Sequence, residues 1–225
     1  MNQKAIIGVK PDLTVETLLA EAAAFALAES THDEPALFGV TDGKAVGTYL
    51  EHKFTAHLMD KYSFAGGNSA SGIDIPSIGV DIKVTSIKQP QSSCPFKSAR
   101  QKIYGLGYNL IVFVYDKTDD GVNKTGRLDI KHTIFVEKER TADYQMTRGL
   151  REIIEHDGNE DDLVAFIQDR HLPVDEIEAR NIAAQLLREK PEQGYLTISN
   201  ALQWRLQYGR VIQQAGTVLG VRRIT

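Results

Sequence analysis

The chain has 225 residues, of which 42% are hydrophobic and 25% charged, a composition typical of a globular protein with a substantial core. No apolar run approaches the ~20 residues that span a bilayer, and the first residues lack a signal-peptide stretch, so we expect a cytoplasmic protein with no membrane partner. The single cysteine, Cys94, cannot form an internal disulfide, and no second cysteine is available for a zinc ribbon.

Two helices are predicted in the first quarter of the chain. Apolar residues at helical spacing indicate a helix over 14–29, with Thr14 as its N-cap. A second helix is predicted from about 43 to 62, capped by Thr41 or Asp42. One stripe of this second helix consists of Gly47, Glu51 and Thr55.

The middle of the chain reads as strands joined by loops. A glycine- and serine-rich loop over 63–71 leads into 72–87, which predicts a strand, a turn at 76–79 and a second strand. A short helix is expected near 95–104. The apolar run 110–115 predicts a strand that is buried on both faces, and 132–136 predicts another strand.

Helices are predicted to dominate the rest of the chain, over 142–156, 160–170, 174–190 and 198–214. The pattern indicates an α/β fold with a central mixed β-sheet flanked by helices. We expect residues 1–140 to form the core with the sheet, and residues 141–225 to form a helical C-terminal part packed on it.

The most informative residues are Asp74, Asp81 and Lys83. If 80–85 is a strand, Asp81 and Lys83 point to the same face, because side chains alternate along a strand. Asp74, across the predicted turn, can reach that face as well. Two carboxylates and one ammonium are therefore predicted to lie together.

Two carboxylates directed at one point suit Mg²⁺, which takes oxygen ligands, and the carbonyl of Ile82 is a further candidate ligand. A metal ion stabilises the charge of a phosphodiester transition state and activates water, while a lysine orients that water or holds the phosphate. The alternative is a hairpin ion pair with one solvated aspartate, without any catalytic role.

The segment GIDIPSIGVDIKVTS, followed after a crossover by the strand NLIVFVYD, resembles the PD-(D/E)XK nuclease superfamily and, within it, the type II restriction endonucleases. The resemblance covers mainly residues 43–116 and implies that Asp74 and Asp81 are metal ligands and Lys83 the catalytic lysine. It also implies that Glu51 is an accessory ligand, although a helical glutamate can equally be a solvated surface residue. The sequence departs from the name motif at Ile73, where proline is usual, and at Asp81, where glutamate is usual.

Two segments near these residues are candidates for DNA contacts. The loop before Asp74 offers small residues and hydrogen-bonding groups at Asn68, Ser69 and Ser71, or it is simply a flexible connection. The segment after the catalytic strand is rich in donors, and glutamine can pair with adenine in the major groove. Its candidate residues are Lys88, Gln89, Gln91, Ser92 and Ser93.

The net charge of -4 conceals two basic segments. Residues 82–115 contain five lysines and arginines and no acid, among them Arg100, and residues 193–225 contain four arginines and no acid, among them Arg205 and Arg210. The predicted helix 198–214 and the helix before it resemble a helix-turn-helix in outline, which would place both arginines near phosphates. The alternatives are solvated basic faces, with Trp204 and Tyr208 as core aromatics.

We therefore predict a type II restriction endonuclease, a homodimer that hydrolyses double-stranded DNA with Mg²⁺ and gives 5′-phosphate and 3′-hydroxyl ends, as the resemblance implies. The alternatives are a repair, recombination or junction-resolving nuclease of the same superfamily, and a non-catalytic helix-turn-helix protein. No nucleotide cofactor is expected, because the sequence has no phosphate-binding glycine motif.

Overall fold

A computed structural model describes residues 10–67, 72–93, 97–199 and 205–225. Its seven α-helices within these ranges are α1 (Val15–Ser30), α2 (Gly43–Lys61), α3 (Gln101–Tyr104), α4 (Tyr144–Glu155), α5 (Glu160–Asp169), α6 (Glu176–Arg188) and α7 (Gly209–Gln214). Thr14 and Thr17 form a capping box at the start of α1, and Asp42 caps α2. No helix among the described residues has the length and apolar character to cross a membrane.

The strands form two sheets. They are β1 (Asp33–Glu34), β2 (Val80–Ser86), β3 (Gln91–Ser93), β4 (Asn109–Asp120), β5 (Thr125–Val136), β6 (Thr197–Ile198), β7 (Arg205–Gln207) and β8 (Val221–Arg223). The main sheet has the order β1-β5-β4-β2, with β8 also paired to β5, and the small sheet has the order β3-β7-β6. The mixed α/β fold predicted from the sequence is confirmed.

The main sheet is mixed because β2 runs parallel to β4, whereas β4 and β5 form a long antiparallel hairpin. The side chains of residues 110–115 of β4 are buried on both faces, as this continuous apolar run predicts, whereas the end of the strand is exposed. Ile111 and Phe113 pack with α1 and α2, while Leu110 and Val112 pack with the small sheet. Among the described residues, β2 pairs with a strand, β4, along one edge only, so its other edge is available to carry a site.

Helix α2 packs against the main sheet through the predicted apolar face Val46, Leu50, Phe54 and Leu58. The rings of Phe54 and Phe113 lie 5.0 Å apart in an edge-on arrangement. This packing fixes α2 beside β2. Helices α3 to α6 enclose a separate apolar cluster that includes Ile103, Leu150 and Ile182.

Two predictions about elements are wrong, and a third element is longer than predicted. In the described part of the predicted helix 198–214, the structure has the end of β6, then β7 and the short helix α7, so these residues do not form the second helix of a helix-turn-helix. In β7, Arg205, Leu206 and Gln207 are exposed, buried and exposed, which is the period of a strand. The predicted strand before the 76–79 turn is reduced to one bridge between Ile75 and Val80, and the predicted strand 132–136 is the end of the much longer β5.

Candidate active site

Asp81 and Lys83 lie on β2 and face the same side of the main sheet, as predicted. Lys83 Nζ lies 2.6 Å from Asp81 Oδ2, and the side chains are 17% and 3% exposed, respectively. The parallel pairing of β2 with β4 places Asp81 beside Leu110 and Lys83 beside Val112, both fully buried. A charged pair of this kind needs partners that hold its geometry, because removal from water is costly.

Asp74 lies beside this pair at the free edge of β2. Its Oδ2 accepts a hydrogen bond of 2.7 Å from the backbone N–H of Ile82. The turn at 76–79, between Asp74 and β2, is held by two hydrogen bonds between Ile75 and Val80, in which the N–H of each residue donates to the carbonyl of the other. The turn therefore brings Asp74 back to the strand that carries Asp81, even though Asp74 is not itself on a strand.

The carbonyl of Ile82 points to the same free edge. Within a strand, the N–H and C=O of one residue point to the same side, and the Ile82 N–H points to Asp74 rather than to β4. The carbonyl of Val84, the next residue with this orientation, faces Gly47 of α2, where an added Cβ would lie 3.8 Å from the oxygen. The predicted ligand position of Ile82 is thus compatible with the strand geometry.

Glu51 follows Gly47 by one turn of α2, so it continues along the free edge of β2 toward Asp74. Burial is the main cause that raises the pKa of Glu51, and the negative charge of Asp74 and a carboxyl hydrogen bond with Asp74 raise it further. The positive charges of Lys83 and His52 act in the opposite direction. These interactions place Glu51 within the same electrostatic cluster as Asp74 and Lys83.

Electrostatic coupling is also evident at the two residues of β2. Burial raises the pKa of Asp81 to about 7; the charge of Lys83 lowers this pKa, and a hydrogen bond with Asp74 raises it. For Lys83, burial acts to lower the pKa, but the carboxylates of Asp81, Asp74 and Glu51 outweigh burial and leave the pKa above its ordinary value. A second positive charge would favour ionisation of all three carboxylates.

The donor atoms near the ion pair are of the chemical type that a hard divalent cation prefers. Three carboxylates and one outward-facing carbonyl supply oxygen ligands of the kind Mg²⁺ prefers. Asp81 Oδ2 is buried and has no hydrogen bond of regular geometry within the described part of the chain; its close partner is the Lys83 ammonium. In the described ranges, however, no three acidic, histidine or cysteine side chains are arranged around one metal-sized point. The cluster is organised around the ion pair instead.

The predicted loop before Asp74 is described only in part, because Asn68, Ser69 and Ser71 lie outside the described residues. Its described end contacts the site directly, since the N–H of Gly67 donates a 2.7 Å hydrogen bond to the carbonyl of Asp74. A Cβ at Gly67 would lie 1.9 Å from the carbonyl oxygen of Ile73, so this position requires glycine.

The segment after the catalytic strand folds back as β3 of the small sheet. Gln89 and Ser93 are exposed, and Lys88 is exposed with a 3.8 Å ion pair to Asp116. Ser92 faces inward instead, where its hydroxyl lies 2.6 Å from the hydroxyl of buried Tyr208. The predicted contacts of this segment with DNA stay predictions, and the inward position of Ser92 favours a structural role for that residue.

The three predicted arginines have different surroundings. Arg100 donates to Glu178 at 2.6 Å and to Gln185 at 2.7 Å, so its guanidinium connects the start of α3 to α6. The guanidinium of Arg210 lies 3.6 Å from the centre of the Tyr144 ring. Arg205 is exposed on β7. The prediction that Arg205 and Arg210 share one helix is therefore wrong, and only Arg205 has the exposure expected of a DNA contact.

Sequence reasoning missed two residues next to these candidates. Thr85 is on the same face of β2 as Asp81 and Lys83, and its hydroxyl accepts a 2.8 Å hydrogen bond from the N–H of Gln91. Gln207 is exposed on β7, directly opposite Gln91. The alternation of polar and apolar residues over 205–208 was the signal for this strand, but the spacing of Trp204 and Tyr208 favoured a helix. Trp204 lies outside the described residues.

Comparison with known proteins places this geometry in a family. The family model described as "Type II restriction enzyme NspV" matches residues 12–223. A protein named Type II restriction enzyme NspV from Nostoc sp. (strain ATCC 29411 / PCC 7524) is 66% identical over 209 residues, which cover 93% of this chain and 95% of that protein. No solved structure matches the chain.

Proposed function

Because the chain belongs to the NspV family of type II restriction enzymes, we propose that it hydrolyses double-stranded DNA at a specific site with Mg²⁺, using Asp74, Asp81 and Lys83. The observation that carries the proposal is the buried pair of Lys83 and Asp81, with Asp74 held beside it by the N–H of Ile82. The matched region of the family contains all of these residues.

Asp74, Asp81 and the carbonyl of Ile82 would hold the cation, with Glu51 as a further carboxylate. When bound there, Mg²⁺ would neutralise charge on the phosphate and generate a nucleophile from water at neutral pH. The buried surroundings of Asp81 strengthen its electrostatic interactions relative to those of an exposed carboxylate.

Lys83 has two tasks in this proposal. Its ammonium balances the charge of Asp81 at 2.6 Å, and its remaining N–H groups are directed to the phosphate or to the attacking water. The low exposure of the side chain restricts its rotation, so the ammonium is held in place before DNA binds.

The DNA is contacted, in this proposal, by the loop over 68–71 and by the segment of Lys88, Gln89 and Gln91, with Arg205 on a phosphate. Each set adjoins the catalytic strand in sequence or through the small sheet. Cleavage of both strands at a symmetric site needs two catalytic sites, and we therefore propose a homodimer whose two-fold axis coincides with that of the DNA.

Digestion of plasmid DNA tests the proposal. With Mg²⁺, the protein should give discrete fragments that end in 5′-phosphate and 3′-hydroxyl groups, and with EDTA it should give none. The fragment ends, determined by sequencing, define the recognition site. Smears or nicks at branched structures would instead identify a nuclease of a different kind, and binding without cleavage in Mg²⁺ would overturn the proposed chemistry.

A further inference from the structure

The outer face of the small sheet is polar across its full width. The antiparallel registers place Gln207 between Gln91 on β3 and Thr197 on β6, so these three side chains form one row. Ser93 and Arg205 are opposite each other in the next row of the same face. All five residues are at least partly exposed.

The opposite face of the small sheet is buried in the core. Leu206, Ile198 and Tyr208 are at most 3% exposed and pack with the apolar side chains of β4 and β5. Because a strand presents its side chains alternately to its two faces, burial of this face fixes which residues point outward. The outer row therefore has a defined position relative to the main sheet.

This row is also fixed relative to the catalytic strand. The hydroxyl of Thr85 accepts a hydrogen bond from the Gln91 N–H at 2.8 Å and donates to the Gln91 carbonyl at 3.1 Å. Thr85 follows Lys83 by two residues on the same face of β2, a distance of about 6.6 Å along a strand. The backbone of Gln91 is consequently held next to the proposed catalytic centre.

The outer side chains are available to a ligand. Within the described ranges, the structure gives Gln91, Gln207 and Arg205 no side-chain hydrogen bond or ion pair with the protein. Three neighbouring strands span about 10 Å, which is close to the ~12 Å width of the DNA major groove. Glutamine offers a donor and an acceptor in the arrangement that adenine presents in that groove.

We propose that the small sheet enters the major groove of DNA and that Gln207, together with Gln91, forms hydrogen bonds with base edges. Arg205, in the next row, contacts a phosphate of the DNA backbone. This inference rests on the proposed function, and it names Gln207 as a specificity-determining residue. The side chain of Gln207 occupies the middle of the row, so it contacts the same or the adjacent base pair as Gln91.

The test uses duplexes that contain or lack the recognition site obtained from plasmid digestion by the unaltered protein. Affinities are measured in Ca²⁺ for the Gln207→Ala and Gln207→Met variants, since methionine keeps the length of the side chain without its amide. Both variants should bind the specific duplex roughly 5- to 150-fold more weakly and the random duplex within about twofold of the unaltered protein. The control Gln168→Ala, at an exposed position of α5, should change neither affinity.

Replacement of each purine of the site by its 7-deaza analogue then identifies the contact. At one position, the analogue should weaken binding by the unaltered protein but have no further effect on Gln207→Met, because the same hydrogen bond is already lost. Equal losses on both duplexes, unchanged affinity in both variants, or fully additive effects at every purine would each overturn the inference. Failure of the unaltered protein to cut plasmid DNA would instead contradict the proposed function.

Discussion

Lys83 Nζ and Asp81 Oδ2 form an ion pair of 2.6 Å on one face of β2, with the carboxylate almost completely buried. The ammonium is therefore part of the electrostatic environment of the proposed metal ligand as well as a candidate group for the reaction. We therefore expect a substitution of Lys83 to change the rate of cleavage and to leave the affinity for DNA nearly unchanged.

Replacement of Lys83 by methionine should reduce cleavage by at least about 100-fold, because a positioned charge is lost from the reacting phosphate. DNA affinity in Ca²⁺ should stay within about twofold, since the side chain is mostly buried and does not anchor the duplex. Single-turnover cleavage and equilibrium binding measure the two effects. The control is Lys190→Met, which removes a surface ammonium paired with Glu155. Parallel losses of binding and cleavage in Lys83→Met would make Lys83 a phosphate anchor.

Asp74 has a structural and a proposed catalytic task that two substitutions separate. Asp74→Ala should lose cleavage and also about 1–2 kcal/mol of unfolding free energy, because the Ile82 N–H loses its acceptor. Asp74→Asn retains an acceptor oxygen, so its stability should be closer to that of the unaltered protein while cleavage is still lost. Urea unfolding and cleavage assays on both variants measure these effects, with Asp60→Asn at an exposed position of α2 as the control. Near-native cleavage by Asp74→Asn at saturating Mg²⁺ would remove Asp74 from the metal site.

The raised pKa of Asp81 predicts a pH-dependent requirement for metal. Burial raises this pKa to about 7, so the carboxyl becomes protonated as the pH falls below that value. Because protons and Mg²⁺ then compete for the same oxygens, the Mg²⁺ concentration for half-maximal cleavage should rise by up to about tenfold per pH unit below 7. The Mg²⁺ concentration for half-maximal cleavage should be nearly constant above about pH 8. Metal titrations of cleavage between pH 5.5 and about 8.5 follow this change. A metal requirement that is the same at both ends of this range would contradict the assignment.

Substitutions of Arg205 and Arg210 should have different effects, although the sequence analysis assigned both residues to one DNA-binding helix. Arg205→Ala should weaken binding to specific and random DNA by similar factors and reduce the slope of log affinity against log salt by about one, as expected for one phosphate contact. Arg210→Ala should leave that slope unchanged and lower the unfolding free energy by about 1 kcal/mol, because its guanidinium packs on Tyr144. Salt titrations in Ca²⁺ and thermal unfolding compare both variants with Arg148→Ala, a surface position paired with Glu152. An unchanged slope for Arg205→Ala would return this residue to an ordinary solvated face.

The elements that the sequence predicted best are those whose hydrophobic pattern is decided locally. Helix α2 has apolar residues at regular helical spacing, and its bounds were predicted within one residue. The buried apolar half of β4, residues 110–115, was predicted as well, but its polar end up to Asp120 was not. The same-face relationship of Asp81 and Lys83 followed from strand alternation alone.

Long-range contacts account for the errors. The strand β7 has three residues and is stabilised by pairing with β3, more than a hundred residues earlier in the chain, so local spacing could not identify its partner. The inward position of Ser92 depends on Tyr208, and the position of Arg100 depends on Glu178. The partners in each pair are far apart in the chain, so local sequence patterns could not reveal these contacts. The hydrogen bond from Ile82 to Asp74 likewise depends on the turn geometry rather than on a strand pattern.

The most direct test of the proposed active site is the Asp81→Asn variant, because asparagine is nearly isosteric with aspartate but lacks the charge that would hold Mg²⁺. Cleavage of a duplex containing the recognition site is measured under single-turnover conditions with saturating Mg²⁺, and affinity for the same duplex is measured in Ca²⁺. We predict that the cleavage rate falls by at least about 100-fold while the variant stays folded and binds that duplex in preference to random DNA. A folded Asp81→Asn variant that cleaves at a near-native rate would contradict the assignment of β2 as the catalytic strand.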